Sequence, residues 1–216
     1  SAYGAMSVAQ DALEPYQQFQ KAWEKAQYSK EGDAREAALA SLAESVRKAS
    51  AAAPEDLKLK TWAGIIIASY AGAKGGIGAL SLAKEAKADY EAVIAKDPSV
   101  LHGSALTSLG VLYYKVPGWP LGFGDEERAE FMLKRGLALN PDGIDSNYFY
   151  ADFLLSQGKP EQAKSYLEKA KAAQPRPGRE IADAGRQGEI ARLQEKLKQC
   201  DDQIAALRQQ LDAGRQ

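Results

Sequence analysis

Small and large apolar residues recur along the chain at helical spacing, and part of this pattern repeats after 34 residues. The residues that recur are Ala129, Leu133, Gly136 and Pro141, and then Ala163, Leu167, Ala170 and Pro175. The first three members of each set lie on one face of a helix, because they are separated by steps of four and three. Proline then ends the helix, since it has no backbone N–H to donate. The pattern predicts units that each close with a helix and a sharp stop.

An earlier helix is predicted in each of these two units. Its pattern advances by three, one and three residues, through Leu106, Leu109, Gly110 and Tyr113 and again through Asn147, Tyr150, Ala151 and Leu154. The small residue of each set allows a neighbouring helix to approach closely. Residues 158–160, Gly-Lys-Pro, have the composition of a tight turn between two helices. Each unit is therefore predicted to be a helical hairpin.

The same pattern continues less regularly toward the N-terminus. Ala86, Tyr90, Val93 and Pro98 keep the closing spacing, and Phe19 and Trp23 begin a degenerate first unit. We predict one repeat domain over residues 7–175, with units at 12–54, 60–98, 104–141 and 145–175. Residues 1–6 have the composition of a tag remnant left by a protease and are excluded from the fold prediction.

These features resemble the tetratricopeptide repeat, a 34-residue helix-turn-helix unit that carries Leu, Gly and Tyr in its first helix and Ala, a large residue, Ala and Pro in its second. Asn147 and Gly136 depart from the residues that this family prefers. The resemblance implies an all-α, right-handed superhelix of about four helix pairs. A long C-terminal helix is predicted after it. The first helices of such an array line its concave face.

Candidate binding residues come from that face and from an insertion at residues 117–123. A second insertion, at residues 71–80, occupies the equivalent place one unit earlier, so the two should be neighbours. Aromatic side chains contribute much of the energy of protein interfaces; the alternative for Trp119 and Phe123 is that they fill a gap between repeats. The candidate set is Trp62, Tyr70, Tyr114, Lys115, Trp119, Phe123, Tyr148 and Asp152.

The C-terminal segment, residues 179–213, carries apolar residues at alternating steps of three and four. We call them the heptad stripe: Ile190, Leu193, Leu197, Cys200, Ile204, Leu207 and Leu211. Such spacing is typical of a coiled coil, and these residue types favour two parallel strands if the chain self-associates. The stripe therefore predicts a possible homo-oligomer. The alternative is that the helix folds back onto the repeats of its own chain.

Composition narrows the chemistry that the chain can perform. The net charge is −1 and the isoelectric point is about 6.0, so nucleic acid is not an expected partner. No stretch approaches the length of a membrane span. One histidine and one cysteine offer too few ligands for the usual metal sites, and the glycines of residues 72–78 lack the order of a phosphate loop. No cofactor, metal or catalytic constellation is expected.

The expected function is therefore a non-catalytic scaffold that binds a protein or peptide partner through the concave face and residues 117–123. A second hypothesis follows from a resemblance to the T component of tripartite periplasmic (TRAP) transporters, and it implies a periplasmic carrier of a small hydrophobic ligand. A periplasmic location is the first expectation and a cytoplasmic one the alternative. An enclosed cavity would favour the carrier, whereas an open groove with exposed Tyr114 and Tyr148 would favour the scaffold.

Overall fold

A computed structural model describes residues 12–215, and in this range it contains nine α-helices, one short 3-10 helix and no β-strand. The tag remnant expected at residues 1–6 lies outside the described residues. The helices are α1 (Pro15–Tyr28), α2 (Gly32–Ala52), α3 (Leu57–Lys74), α4 (Gly76–Lys96), α5 (Ser104–Lys115), α6 (Glu126–Leu139), α7 (Ile144–Ser156), α8 (Pro160–Lys171) and α9 (Glu180–Gly214), with the 3-10 helix at Val100–Gly103.

The first eight helices form four antiparallel hairpins, and glycines allow the two helices of a hairpin to approach closely. A Cβ atom on Gly110 of α5 would lie 2.7 Å from Leu133 Cγ of α6. One on Gly64 of α3 would overlap the ring of Tyr90 on α4. Neither position can therefore hold a larger residue unless the facing side chain moves.

The hairpins stack in chain order, so that α3 contacts α1, α5 contacts α3 and α7 contacts α5. The core is continuous through the stack, and its fully buried members include Leu39, Ile66, Leu109, Leu154 and Leu167. The architecture is an all-α, tetratricopeptide-like solenoid, which confirms the predicted fold class.

The insertion at residues 71–80 lengthens helices instead of forming a loop. Helix α3 continues to Lys74, and α4 begins at Gly76, so that Gly75 alone separates the two helices. Gly75 and Gly76 both have positive φ angles, 58° and 62°, which glycine adopts without steric cost. The extra residues therefore extend one end of this hairpin by about one turn on each helix.

The heptad stripe is divided between two environments. Ile190 and Leu197 are 1% and 7% exposed, because the first half of α9 packs on the repeats of its own chain. Leu207 and Leu211 are 58% and 63% exposed, and every residue from 198 to 215 lies on the surface. The fold-back alternative therefore describes the first half of the stripe, and self-association remains a prediction for its exposed second half.

Helix α9 also reaches back to the beginning of the solenoid. The side chain of Tyr28 in α1 fills the space above Gly185 of α9. The Arg179 guanidinium forms an ion pair with Glu24 of α1 and lies 5.6 Å from the ring centroid of Trp62. The first and last helices are thus in contact, and the solenoid closes into a ring.

Candidate binding cavity

The closed ring surrounds a cavity of about 1460 Å³ that remains open to solvent at its mouth. The cavity is lined mainly by the first helices of the hairpins and by the segment that joins α8 to α9. This arrangement follows from the stacking, because the first helices lie on the inner side of the curve and α9 closes the gap between the two ends.

Two tryptophans form the apolar wall at one side of the cavity. Trp23 and Trp62 meet edge to face, with ring centroids 5.3 Å apart. The indole N–H of Trp23 donates to Ser69 Oγ at 2.8 Å, and that hydroxyl donates to the Ile65 carbonyl oxygen at 2.7 Å. Because the Trp23 indole N–H donates to Ser69 and the Ser69 hydroxyl donates to the backbone, an apolar group can pack on this part of the wall without leaving these two donors unpaired. Val111 and Phe149 extend the apolar lining from α5 and α7.

Charged side chains gather at the other side, around Asp145 at the start of α7. Its carboxylate accepts from Arg186 Nε at 2.9 Å and from Arg176 at 3.1 Å. Burial by itself would raise the pKa of Asp145, but the two guanidinium groups outweigh it and lower that pKa to about 2. Asp145 therefore stays ionised across the range in which proteins normally work.

The arginines of this cluster are held by several partners each. Arg176 Nε also donates to Asp183 at 2.7 Å, and Arg186 donates to Glu189 at 2.7 Å. The guanidinium of Arg186 lies 4.6 Å from the ring centroid of Tyr148 and 4.5 Å from that of Phe149. These contacts hold α9 against α7, so the cluster stabilises the packing of these two helices.

The mouth of the cavity carries exposed apolar side chains from the insertion at residues 117–123. Trp119 is 90% exposed, and Leu121 is exposed beside it at the cavity edge. The loop is fixed at its base, where Gly124 N donates to the Pro117 carbonyl oxygen and Asp125 N to that of Tyr113, both at 2.9 Å.

This loop lies beside the extended α3–α4 hairpin, as expected from the repeat register. A Cβ atom on Gly122 would lie 3.3 Å from Leu80 Cδ1 of α4. Ile77, one turn before Leu80, is fully exposed. The two insertions thus meet and place apolar side chains at one edge of the cavity.

The predicted site residues are not all brought together. Trp62 and Lys115 line the cavity, whereas Tyr70, Tyr114, Trp119, Phe123, Tyr148 and Asp152 lie outside its lining. Phe123 packs edge to face on Tyr113, with centroids 6.0 Å apart and Lys87 above its ring, so it fills a gap between helices. The same loop therefore contains one packed aromatic and one exposed aromatic.

Tyr114 and Tyr148 are much less accessible than an open groove would require. The Tyr114 hydroxyl donates to Asp152 at 2.7 Å, and Lys115 Nζ lies 3.0 Å from the same carboxylate. Burial and the neighbouring carboxylate raise the pKa of Tyr114 well above its usual value. Tyr148 is buried beneath Arg186. Tyr70 is half-buried, with Lys74 above its ring.

Several lining residues were not among the sequence candidates, chiefly Trp23, Ile65, Ser69, Val111 and Phe149. Phe149 occupies the same position in its repeat as Ser108 does in the preceding one, and both residues line the cavity. Trp23 carried no such signal, because it belongs to the degenerate first unit. Its place in the cavity depends on the curvature of the whole array.

Within residues 12–215, no helix is long and apolar enough to cross a membrane, and no group of three potential metal ligands occurs. No curated protein matches the chain. A family model of the tetratricopeptide repeat matches residues 121–197, which covers the third hairpin from its loop, the fourth hairpin and the first half of α9. This match, together with the solenoid architecture, supports a tetratricopeptide-repeat protein.

Proposed function

We propose that this protein is a non-catalytic scaffold that holds an extended segment of a protein partner in its cavity, with Trp119 and Leu121 as contacts at the mouth. Tetratricopeptide repeats generally mediate protein–protein interaction and typically have no catalytic role. The observation that carries the proposal is the cavity of about 1460 Å³ on the inner side of the solenoid.

The size and closure of the cavity restrict what can enter. Pockets for small molecules measure roughly 300–1000 Å³, so this cavity has room for several residues of an extended peptide. The contact between α1 and α9 prevents the solenoid from wrapping around a folded domain. Apolar side chains of the segment would contact Trp62 and Ile65, and its backbone would find donors and acceptors in Thr107, Ser108 and Lys115.

Site-specific photocrosslinking in cells of the native host tests this proposal. A photoreactive phenylalanine analogue would replace Ile65 in the cavity, and the matched control would carry it at Ala92, on the exposed face of α4. We expect polypeptide adducts from position 65 and none of the same mass from position 92. Equal adducts from both positions, or no adduct from position 65, would contradict the proposal.

A substitution of Trp119 tests the proposed contact at the mouth of the cavity. Trp119→Ala should weaken binding of the captured partner by about 1–2 kcal/mol, because an exposed aromatic side chain that a partner buries contributes about that much. Phe131→Ala on α6 is the matched control, since Phe131 is also an exposed aromatic but lies away from the mouth. Calorimetric titration measures both, and unchanged affinity for Trp119→Ala would remove the loop from the interface.

A second function, a periplasmic carrier of a small hydrophobic ligand similar to the transporter T component, is favoured by two observations. The ring is closed by the ion pair of buried Glu24 and half-buried Arg179, so the cavity is more enclosed than an open groove. Tyr114 and Tyr148 are not exposed, as an open groove would require. In the photocrosslinking experiment, an adduct of a few hundred daltons at position 65 would support the carrier over the scaffold.

A further inference from the structure

The exposed half of the heptad stripe presents four apolar positions, Cys200, Ile204, Leu207 and Leu211, on a helix with few partners in its own chain. All residues from 198 to 215 are exposed, and the contact that ties this part of α9 to the repeats is the pair of Lys164 and Asp201. We propose that this segment pairs with the same segment of a second copy of the chain, in antiparallel orientation.

Apolar complementarity is the first argument for this orientation. In an antiparallel pair of helices the two stripe positions of a heptad lie opposite one another across the interface. Cys200 then faces Leu211 of the second copy, and Ile204 faces Leu207. Because the pairing is symmetric, the same two contacts form twice, and the four positions are all covered.

Charge complementarity is the second argument. The flanking positions that face each other in this register hold Asp201 on one helix and Arg208 on the other, so opposite charges meet twice across the pair. Lys164 Nζ contacts Asp201 Oδ2 at 2.9 Å, which leaves Oδ1 to accept from the guanidinium of the second copy. The remaining flanking positions, Gln203 and Gln210, also face each other and can exchange amide hydrogen bonds.

The parallel arrangement predicted from the heptad spacing alone is disfavoured by the fold. A parallel coil would continue through Leu197 and Ile190, which already pack on the repeats of their own chain. It would also place both repeat domains at the same end of the coil. The antiparallel arrangement needs only residues beyond 197 and places the two domains at opposite ends. Its interface is small, so we expect weak and reversible association.

Cysteine crosslinking of the full chain tests the orientation directly, because Cys200 is the one cysteine of the sequence. Leu211→Cys places a second thiol opposite Cys200 of the other copy. Under mild oxidation we expect this variant to form a dimer linked between positions 200 and 211, and the unmodified chain to form several-fold less. Ala205→Cys, on the outward face, is the matched control and should not crosslink above the unmodified chain.

Two results would overturn the proposal. A dimer linked between Cys200 and Cys200 in the unmodified chain, as efficient as that of Leu211→Cys, would show a parallel pair. Failure of every variant to crosslink, with monomers in sedimentation at concentrations up to about 1 mM, would show that the segment does not pair with itself.

Charge reversal provides an independent test by sedimentation. Arg208→Glu and Asp201→Arg should each weaken self-association by about tenfold, since each places two pairs of like charges together. Mixing the two variants should restore it, because opposite charges meet again in the mixed dimer. In a parallel pair Arg208 would face Gln203, so an unchanged association of Arg208→Glu would contradict the antiparallel register.

Discussion

At the scale of single residues, Asp145 connects the fourth hairpin to the segment that closes the ring. Its carboxylate lies between Arg176 and Arg186, and the two guanidinium groups hold its pKa near 2. The two arginines follow Asp145 by 31 and 41 residues in the sequence. Helical periodicity relates residues only a few positions apart, so no pattern in the sequence connects Asp145 with these arginines.

Asp145→Asn should lower the free energy of unfolding at pH 7 by about 1–2 kcal/mol. The side chain is 37% exposed, so solvent screens the ion pairs and keeps the loss below that of a fully buried pair. Because the folded-state pKa lies below the unfolded value of 3.8, the stabilisation is present above about pH 4 and is lost as the pH falls toward 2. Urea denaturation at pH 7 and pH 2 measures the difference, and an equal loss at both pH values would contradict this assignment.

The pKa of Asp89 on α4 is shifted in the opposite direction, upward. Burial raises its pKa to about 6, and Glu85 adds to the effect, although Lys60 opposes it. The folded chain therefore binds this proton more tightly than the unfolded chain, and stability falls as the pH rises from about 4 to 6. Asp89→Asn should be more stable than the unmodified chain at pH 7, by about 1 kcal/mol after allowance for partial exposure. Thermal denaturation at pH 4 and pH 7 checks this, and a variant that is less stable at pH 7 would show that the carboxylate is needed.

At the scale of helices, the close approach of α5 and α6 depends on Gly110, the small residue of the repeat pattern. Gly110→Ala should destabilise the protein by about 1–3 kcal/mol, because its Cβ would lie 2.7 Å from Leu133 Cγ and 3.1 Å from Leu133 N. Gly72→Ala is the control: it lies in α3 with no atom within 4 Å of the added Cβ, so it should be neutral or slightly stabilising. Equal effects of the two substitutions in chemical denaturation would contradict the packing account.

The sequence predicts the helices better than it predicts the conformation of an insertion. The sequence predicts α5 to α8 from the steps of three and four and from the closing prolines. These signals are local, because each residue of the pattern makes a contact within one hairpin. The repeat register predicts an insertion at residues 71–80 but not its conformation, in which only Gly75 and Gly76 have positive φ angles. Gly72 and Gly78 lie inside helices despite the low helix propensity of glycine.

At the scale of the whole molecule, closure of the ring depends on contacts that no repeat pattern contains. Glu24 and Arg179 are 155 residues apart, and Tyr28 meets Gly185 at a similar separation. The position of α1 relative to α9 follows from the curvature summed over four hairpins. The cavity, and with it Trp23 as a lining residue, therefore could not be predicted from local spacing, whereas Trp62 and Lys115 could.

Glu24→Gln should loosen this closure, because Glu24 is almost fully buried and its charge balances that of Arg179. We expect spin labels at Lys25 on α1 and Ile181 on α9, both near the junction, to give a narrow distance distribution in the unmodified chain and a broader one in the variant. Glu44→Gln, which removes a partner from the exposed ion pair with Lys48, is the control and should leave the distribution narrow. A broad distribution in the unmodified chain would show that the ring is open in solution.

The most direct test of the binding cavity is to fill it. Ala68 lies on α3 in the cavity lining, and Ala68→Trp would occupy the space that a bound segment needs. Ala92→Trp adds the same side chain on the exposed face of α4 and serves as the control. With circular dichroism showing both variants folded, the account predicts that calorimetric binding of the captured partner falls at least tenfold for Ala68→Trp and is unchanged for Ala92→Trp. Full binding by Ala68→Trp would contradict the proposal that the cavity is the binding site.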